Sequence, residues 1–381
     1  VTGPGTVAVL GATGIVGRAA LDLLRRLGVT DLRAGARDPE RLRLVAAETG
    51  ARAVPADADD PASLAAFCEG ARLVLNCAGP SYLLLDRVAR AALGAGADYV
   101  DVSGDGPAHR LLGGTDLLEG GRVAVLSAGM LPGLANLVPA HLGGDDLSGA
   151  RLRVYAGGIE RFSPAAAGDL VLSVDGADGT GGDHWYGEAL AAWRGGRRVP
   201  RALSAEEDTE VPYFPGRVTV MPYLTADCER LARSAGLASL EWFNVFTGPQ
   251  LRPALGRLRG HVSRDPAALA AAVEQVRAAG ELDLGHNNPY YLMAFTLTTP
   301  EVTRTAVLRT PSSFRLTAAT AVLAARSVLD GAVPPGLHFA DEVLDPGPTL
   351  HGARRLGTLP LLDVHDHDGG DHALPIEEGS L

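Results

Sequence analysis

The stretch VLGATGIVGRAALDLLRRLG, Val9–Gly28, decides how this chain is read. An apolar run stops at Gly11, glycines recur at Gly14 and Gly17, and leucines and alanines then repeat at helical spacing. Each glycine has a physical task where a strand bends into a helix. Gly11 permits the tight turn, Gly14 lets a pyrophosphate approach the backbone, and Gly17 lets the helix lie against the sheet, while the helix N-terminus favours negative charge. Thr13, Ile15 and Val16 fill the same turn, so the segment predicts a dinucleotide site built from Gly11, Thr13, Gly14, Ile15 and Val16.

The surrounding sequence supplies the context such a turn requires. From Thr6 to about Gly144, short β-rich runs (TVAVLG, DLRAGAR, ARAVPAD, ARLVLNCAG, ADYVDVSGD, GRVAVLSAG) alternate with helical patterns, several closed by Gly. That alternation predicts an α/β fold with an N-terminal Rossmann domain, a doubly wound parallel sheet over residues 1–148. After Ala150 strand-like pieces crowd together, among them ARLRVYAGGI, DLVLSVDG, RVTVMPYL and LASLEWFNVF, which predicts a second α+β mixed-sheet domain over 149–310 for substrate binding and dimerisation. The run SSFRLTAATAVLAARSVLDG reads as an amphipathic helix, and residues 311–362 are expected to return to the first domain. The ending DVHDHDGGDHALPIEEGSL, residues 363–381, reads as a His/Asp-rich hairpin or tail; its His365, His367 and His372 are taken as a solvated turn, with no metal expected.

Composition narrows the chemistry. The 381 residues exceed one typical domain of about 100–200 residues. All 34 basic residues are Arg, which excludes a Lys Schiff base and any Tyr-Lys acid pair. A net charge of −11 argues against nucleic acid as a partner. Cys68, Cys77 and Cys228 are scattered, as in a reducing compartment, and no run of apolar residues is long enough for a bilayer. The chain reads as cytoplasmic, with no membrane partner.

In a doubly wound sheet the ligand lies beyond the carboxyl ends of the strands. The second strand ends in AGARDPERLR: Arg37 there, with Arg41 and Arg18 near it, favours a 2′-phosphate and so NADP(H), while Asp38 is the dissenting residue, an acid of the kind that binds ribose hydroxyls, which also reads as a helix N-cap before Pro39. Further strand ends place Asp57 and Ala58 toward the adenine, and Asn76, Ala78 and Gly79 toward the ribose beside the nicotinamide.

GATGIVG, NCAGPSYLLLDRVARAALGAGADYVDVSGD and SAGMLPGLANLVPAHL together resemble the saccharopine dehydrogenase-like reductases, a group that includes saccharopine reductases and trans-acting enoyl reductases. The resemblance implies that Asn76, Gly79, Pro80 and Tyr82, then Ser103, Gly104 and Asp105, wall the nicotinamide half of the site. Ser81 separates Pro80 from Tyr82 here, whereas the family pattern sets Tyr directly after Pro. Without Lys, reduction of an imine or activated alkene of a small organic molecule fits best, with Asp105 as an anion facing an iminium. Tyr82 is a candidate proton donor, as are His184 and Tyr186 in GGDHWYGEAL. A second aromatic cluster, GHNNPYYLM, holds His286, Tyr290 and Tyr291. The alternatives are a saccharopine-type amino-acid (opine) dehydrogenase, which would need Arg304, Arg309 or Arg315 for substrate carboxylates, and a non-catalytic NADP-binding redox sensor. The resemblance also implies a homodimer.

Overall fold

The computed structural model describes residues 5–144, 146–175, 187–258 and 265–367. The chain forms two compact units: Val1–Leu137 with Ser163–Asp169 and Ser313–Thr358, and Val138–Phe162 with Leu170–Ser312 and Leu359–Leu381. The first boundary thus falls eleven residues before the expected 148, inside a helix, and the returning segment is slightly shorter than expected.

Unit 1 alternates β1 (Thr6–Leu10), α1 (Ile15–Arg26), β2 (Leu32–Ala36), α2 (Pro39–Thr49), β3 (Arg52–Pro55), α3 (Pro61–Cys68) and β4 (Ala71–Asn76). It continues through α4 (Ser81–Leu84), α5 (Arg87–Gly94), β5 (Asp98–Asp101), α6 (Gly106–Gly113), β6 (Val123–Leu126) and the start of α7 (Leu134–Gly143). The sheet order is β3-β2-β1-β4-β5-β6, every pair parallel. Its seventh strand, β16 (Gly336–Phe339), pairs with β6 after the return of the chain. The expected parallel sheet is present; β16, only four residues long, gives no periodicity strong enough to read.

Strand alternation sends β1 to two cores. Val7 and Val9 pack on one face with α1, α2 and α12 (Ser313–Leu329), whereas Ala8 and Leu10 pack on the other with α3, α5 and α6. The returning helix α12 contributes Ala318, Ala319, Ala321, Val322 and Ala325 to the first face, all fully buried beside Ala20 and Leu24 of α1. These small side chains explain why the helix belongs here: without it the apolar face of α1 would stand in water.

Unit 2 is a mixed sheet with the path β10-β9-β13-β7-β14-β15-β17, and β11, β12 and β8 branching from β13. The strands are β7 (Arg151–Ile159), β8 (Gly187–Ala189), β9 (Ala192–Arg194), β10 (Arg197–Val199), β11 (Glu206–Glu210), β12 (Arg217–Thr225), β13 (Ser239–Phe246), β14 (Tyr290–Thr298), β15 (Thr303–Thr310) and β17 (Leu361–His367). Helices α9 (Ala226–Ser234), α10 (Leu251–Leu258) and α11 (Pro266–Leu284) lie between them in sequence.

Two readings are corrected. DLVLSVDG is not a strand: it completes α8 (Pro164–Asp175), which starts where the Ser163 hydroxyl accepts the Ala166 N–H and continues through an alanine run. The segment from Asp363 is not a hairpin or tail at its start, because Asp363–His367 continue β17, antiparallel to β15. There His367 bonds the Thr305 hydroxyl of β15 at 3.0 Å and His365 stacks on Tyr213 of the loop before β12, contacts that the Asp/His composition concealed.

Gly17 sets a limit on this packing, since a Cβ there would lie 2.3 Å from the Gly11 carbonyl oxygen. Gly17→Val is expected to lower the unfolding free energy by about 1–3 kcal/mol through overpacking, measured by urea denaturation.

Candidate functional site

The ends of β1, β4, β5 and β6 converge at one edge of the unit 1 sheet, where α1 begins. Gly11 takes φ +76°, and a Cβ on it would sit 2.7 Å from the Cys77 carbonyl and the Ala78 nitrogen, so the first turn lies directly on the turn after β4. Gly14 is the N-cap of α1 and carries no side chain to bond its first N–H groups. By contrast Asp38, Asp60, Asp265 and Asp345 accept backbone N–H groups at the starts of their helices. The start of α1 thus suits an external anion, with Ile15 exposed and Thr13 and Val16 partly so. A dinucleotide pyrophosphate fits this cradle by its backbone and by the bare approach at Gly11.

The candidate phosphate readers sort themselves by their partners. Arg18 is ion-paired to Glu48, and Asp38 accepts the Glu40 and Arg41 N–H groups at 3.0 and 3.1 Å. Asp38 is therefore a helix cap, and Arg37 stands exposed at the end of β2. Asp57 closes a local turn by accepting the Asp59 N–H at 3.0 Å, with the Ala58 carbonyl taken by Arg87.

Below the turns after β4 and β5 lies a buried polar cluster. The Asp101 carboxylate accepts the Asn76 amide at 3.0 Å, the Ser103 N–H at 2.9 Å and the Tyr99 hydroxyl. Asn76 in turn accepts the Ala78 N–H at 3.1 Å, so one carboxylate fixes the turns after β4 and β5 together. Burial raises the Asp101 pKa, opposed by those three donors, and raises that of Tyr99. Asn76, at 2 % exposure, therefore holds the wall of the site from beneath, while Ala78 and Gly79 are only partly buried. Asp105 is the N-cap residue of α6, partly accessible, and its carbonyl accepts the His109 N–H.

Sequence reasoning missed Asp169. In unit 1 its Oδ1 accepts the Ser81 hydroxyl at 3.1 Å and the Tyr82 N–H at 3.2 Å, at the turn that follows Gly79. Burial pushes its pKa up to about 6, with nearby Asp101 adding to the rise. His184 and Tyr186 lie outside the described residues. In unit 2, Tyr290 is a core residue beneath the Arg309 guanidinium, and His286 is exposed. Arg304 is held by Asp366 and the Leu142 carbonyl.

Residues 7–112 match the model of the saccharopine dehydrogenase NADP-binding domain. A probable mitochondrial saccharopine dehydrogenase-like oxidoreductase of Arabidopsis thaliana is 36% identical over 113 residues, 26% of this chain and 25% of that protein, so the match spans about a quarter of the relative. Two solved structures share the fold along nearly the whole chain. Apo saccharopine dehydrogenase (L-Glu forming) from Saccharomyces cerevisiae has 16% identity and TM-score 0.65, covering 96% of this chain and 100% of that one. Homospermidine synthase from Legionella pneumophila, in complex with NAD, has 12% identity and TM-score 0.60, covering 100% and 96%.

Residues 7–112 of the first unit thus resemble a dinucleotide-binding domain. More particularly, they are similar to the NADP-binding domain of saccharopine dehydrogenase, and the cofactor that this domain's description names is NADP. No helix among the described residues is long and apolar enough to cross a membrane.

Tyr99→Phe removes one donor from the buried Asp101 carboxylate. It is expected to cost about 1–3 kcal/mol of stability, read by urea denaturation, and to weaken NADPH binding in fluorescence titration.

Proposed function

We propose that the protein is an NADPH-dependent reductase that delivers hydride to a C=N or activated C=C bond of a small organic molecule. NADPH, when bound, supplies the hydride pair. The uncapped start of α1 would hold the pyrophosphate and Arg37 the 2′-phosphate, while the Asn76–Asp101 cluster keeps the turns after β4 and β5 rigid enough to orient a nicotinamide. The observation that carries the reading is this pairing of an open phosphate cradle with a clamped wall at one sheet edge.

The choice of bond follows from the absence of Lys, which removes the usual cation for polarising a carbonyl. An imine, once protonated, carries that charge itself, and the carboxylates Asp105 and Asp169 at this edge suit a cationic intermediate. The opine dehydrogenase alternative finds less support, because Arg304 and Arg309 already have partners within unit 2. Free, buried Cys68 and Cys228 accord with work in a reducing compartment such as the cytoplasm.

Paired titrations with NADPH and NADH, wild type against Arg37→Ala, test the cofactor assignment. The wild type is expected to prefer NADPH, and the substitution to weaken NADPH about tenfold or more with NADH little changed. Equal affinities, unaltered by the substitution, overturn it. Oxidation of NADPH followed at 340 nm with 2-methyl-1-pyrroline as a cyclic imine and crotonamide as an activated alkene separates the two bond classes.

A further inference from the structure

We propose that Asp169 is the carboxyl that exchanges the proton of the reaction, facing the nicotinamide end of the site from the turn held by Ser81 and Tyr82. The inference rests on the reductase reading and assigns its missing proton donor.

Ser81 is the residue that sets Tyr82 one position away from Pro80. In the structure that hydroxyl is used: it donates to Asp169 Oδ1 at 3.1 Å, and the Tyr82 N–H donates to the same oxygen at 3.2 Å. Two donors thus fix one carboxylate oxygen and its plane. The other oxygen, Oδ2, lies over Gly79, where a Cβ would come within 3.8 Å of it. Gly79 is next to Ala78, whose nitrogen abuts Gly11 of the phosphate turn. A continuous path of backbone contacts therefore joins the cradle at α1 to the Asp169 carboxyl. Asp169 as a residue is partly buried, its carboxyl being the more enclosed part.

The electrostatics suit the role. Burial, with a smaller contribution from the Asp101 charge, disfavours the anion, and the donors Ser81 and Tyr82 favour it, which leaves Asp169 titrating at about 6. A general acid is most useful when its pKa is close to the working pH. In the reductive direction the unsaturated carbon gains the hydride pair, and the displaced π pair forms a bond to the Asp169 proton. The O–H bond breaks, a carboxylate remains beside a nicotinamide ring that has become cationic, and solvent restores the proton.

That last juxtaposition gives a test that needs no substrate. If Asp169 faces the bound ring, the cationic ring would favour its ionised form and the neutral reduced ring would not; by linkage, NADP⁺ would then bind more tightly as Asp169 ionises. The dissociation constants of NADP⁺ and NADPH are measured from pH 5 to 8, and their ratio is taken so that the 2′-phosphate common to both cancels. In wild type the ratio is expected to shift toward NADP⁺ by about tenfold as pH rises through about 6, an opposite charge at such distances moving a pKa by about one unit or more. In Asp169→Asn, which keeps an oxygen for Ser81 and Tyr82, NADPH affinity is retained and the shift disappears. With 2-methyl-1-pyrroline as probe, kcat is expected to fall about 100-fold or more in Asp169→Asn with little change in KM for NADPH. A flat ratio in wild type, or the same shift in Asp169→Asn, overturns the proposal while leaving the cofactor reading intact. Failure of both cofactors to bind overturns the reductase reading and this inference with it.

Discussion

Backbone lies on backbone at Gly11, and the rest of the candidate site depends on that contact. With a Cβ at Gly11 the turn after β1 would collide with the Cys77 carbonyl and the Ala78 nitrogen at 2.7 Å, and with one at Gly17 the helix would strike Gly11 itself. The close approach brings the start of α1 and the end of β4 within reach of one ligand. It holds only if the turn after β4 has a fixed course, and Asn76 and Asp101 provide that from beneath, through the Ala78 and Ser103 N–H groups. A buried carboxylate is costly unless it is hydrogen-bonded, and three donors serve it here, at least one on each oxygen. Phosphate cradle and nicotinamide wall are therefore one mechanical unit.

The elements that this unit requires were readable because they are local. The glycine spacing, the alternation of strands and helices, and the Asp-Pro starts of α2 and α3 all act over a few residues. Arg37 and Asp38 could be told apart for the same reason: a cap bonds its own next turn. The amphipathic run of α12 announced a helix, and its alanines fit where α1 needs a close neighbour.

What escaped is what comes together from far along the chain. Asp169 lies 88 residues from Ser81 in sequence, and its segment looked like a strand because Leu170, Val171 and Leu172 form an apolar run. Length and capping, not periodicity, decide such runs, and Ser163 starts the helix several residues earlier. Asn76 shows a subtler gap: its position beside the site was legible, but the direction of its amide, inward to Asp101, was set by Tyr99 and Asp101 on another strand. His365 and His367 belong to β17 by pairing with β15, which no local pattern reveals.

The absence of Lys gives these placements their chemical weight. Every cationic side chain of fixed charge is a guanidinium, which does not release a proton in the physiological range. Proton transfer at the strand ends must then use a thiol, a phenol, an imidazole or a carboxyl. Burial drives the Cys77 thiol and the Tyr99 phenol away from neutrality, and Tyr99 is engaged with Asp101. His109 is stacked on Phe339 at 4.6 Å. Asp101 is held by three structural donors, whereas Asp169 has one oxygen anchored, a titration at about 6, and hydrogen bonds from the turn that follows Gly79. A chain that has given up Lys can still move a proton if burial brings a carboxyl up to meet neutral pH, and the turn at Ser81 is where this one does so.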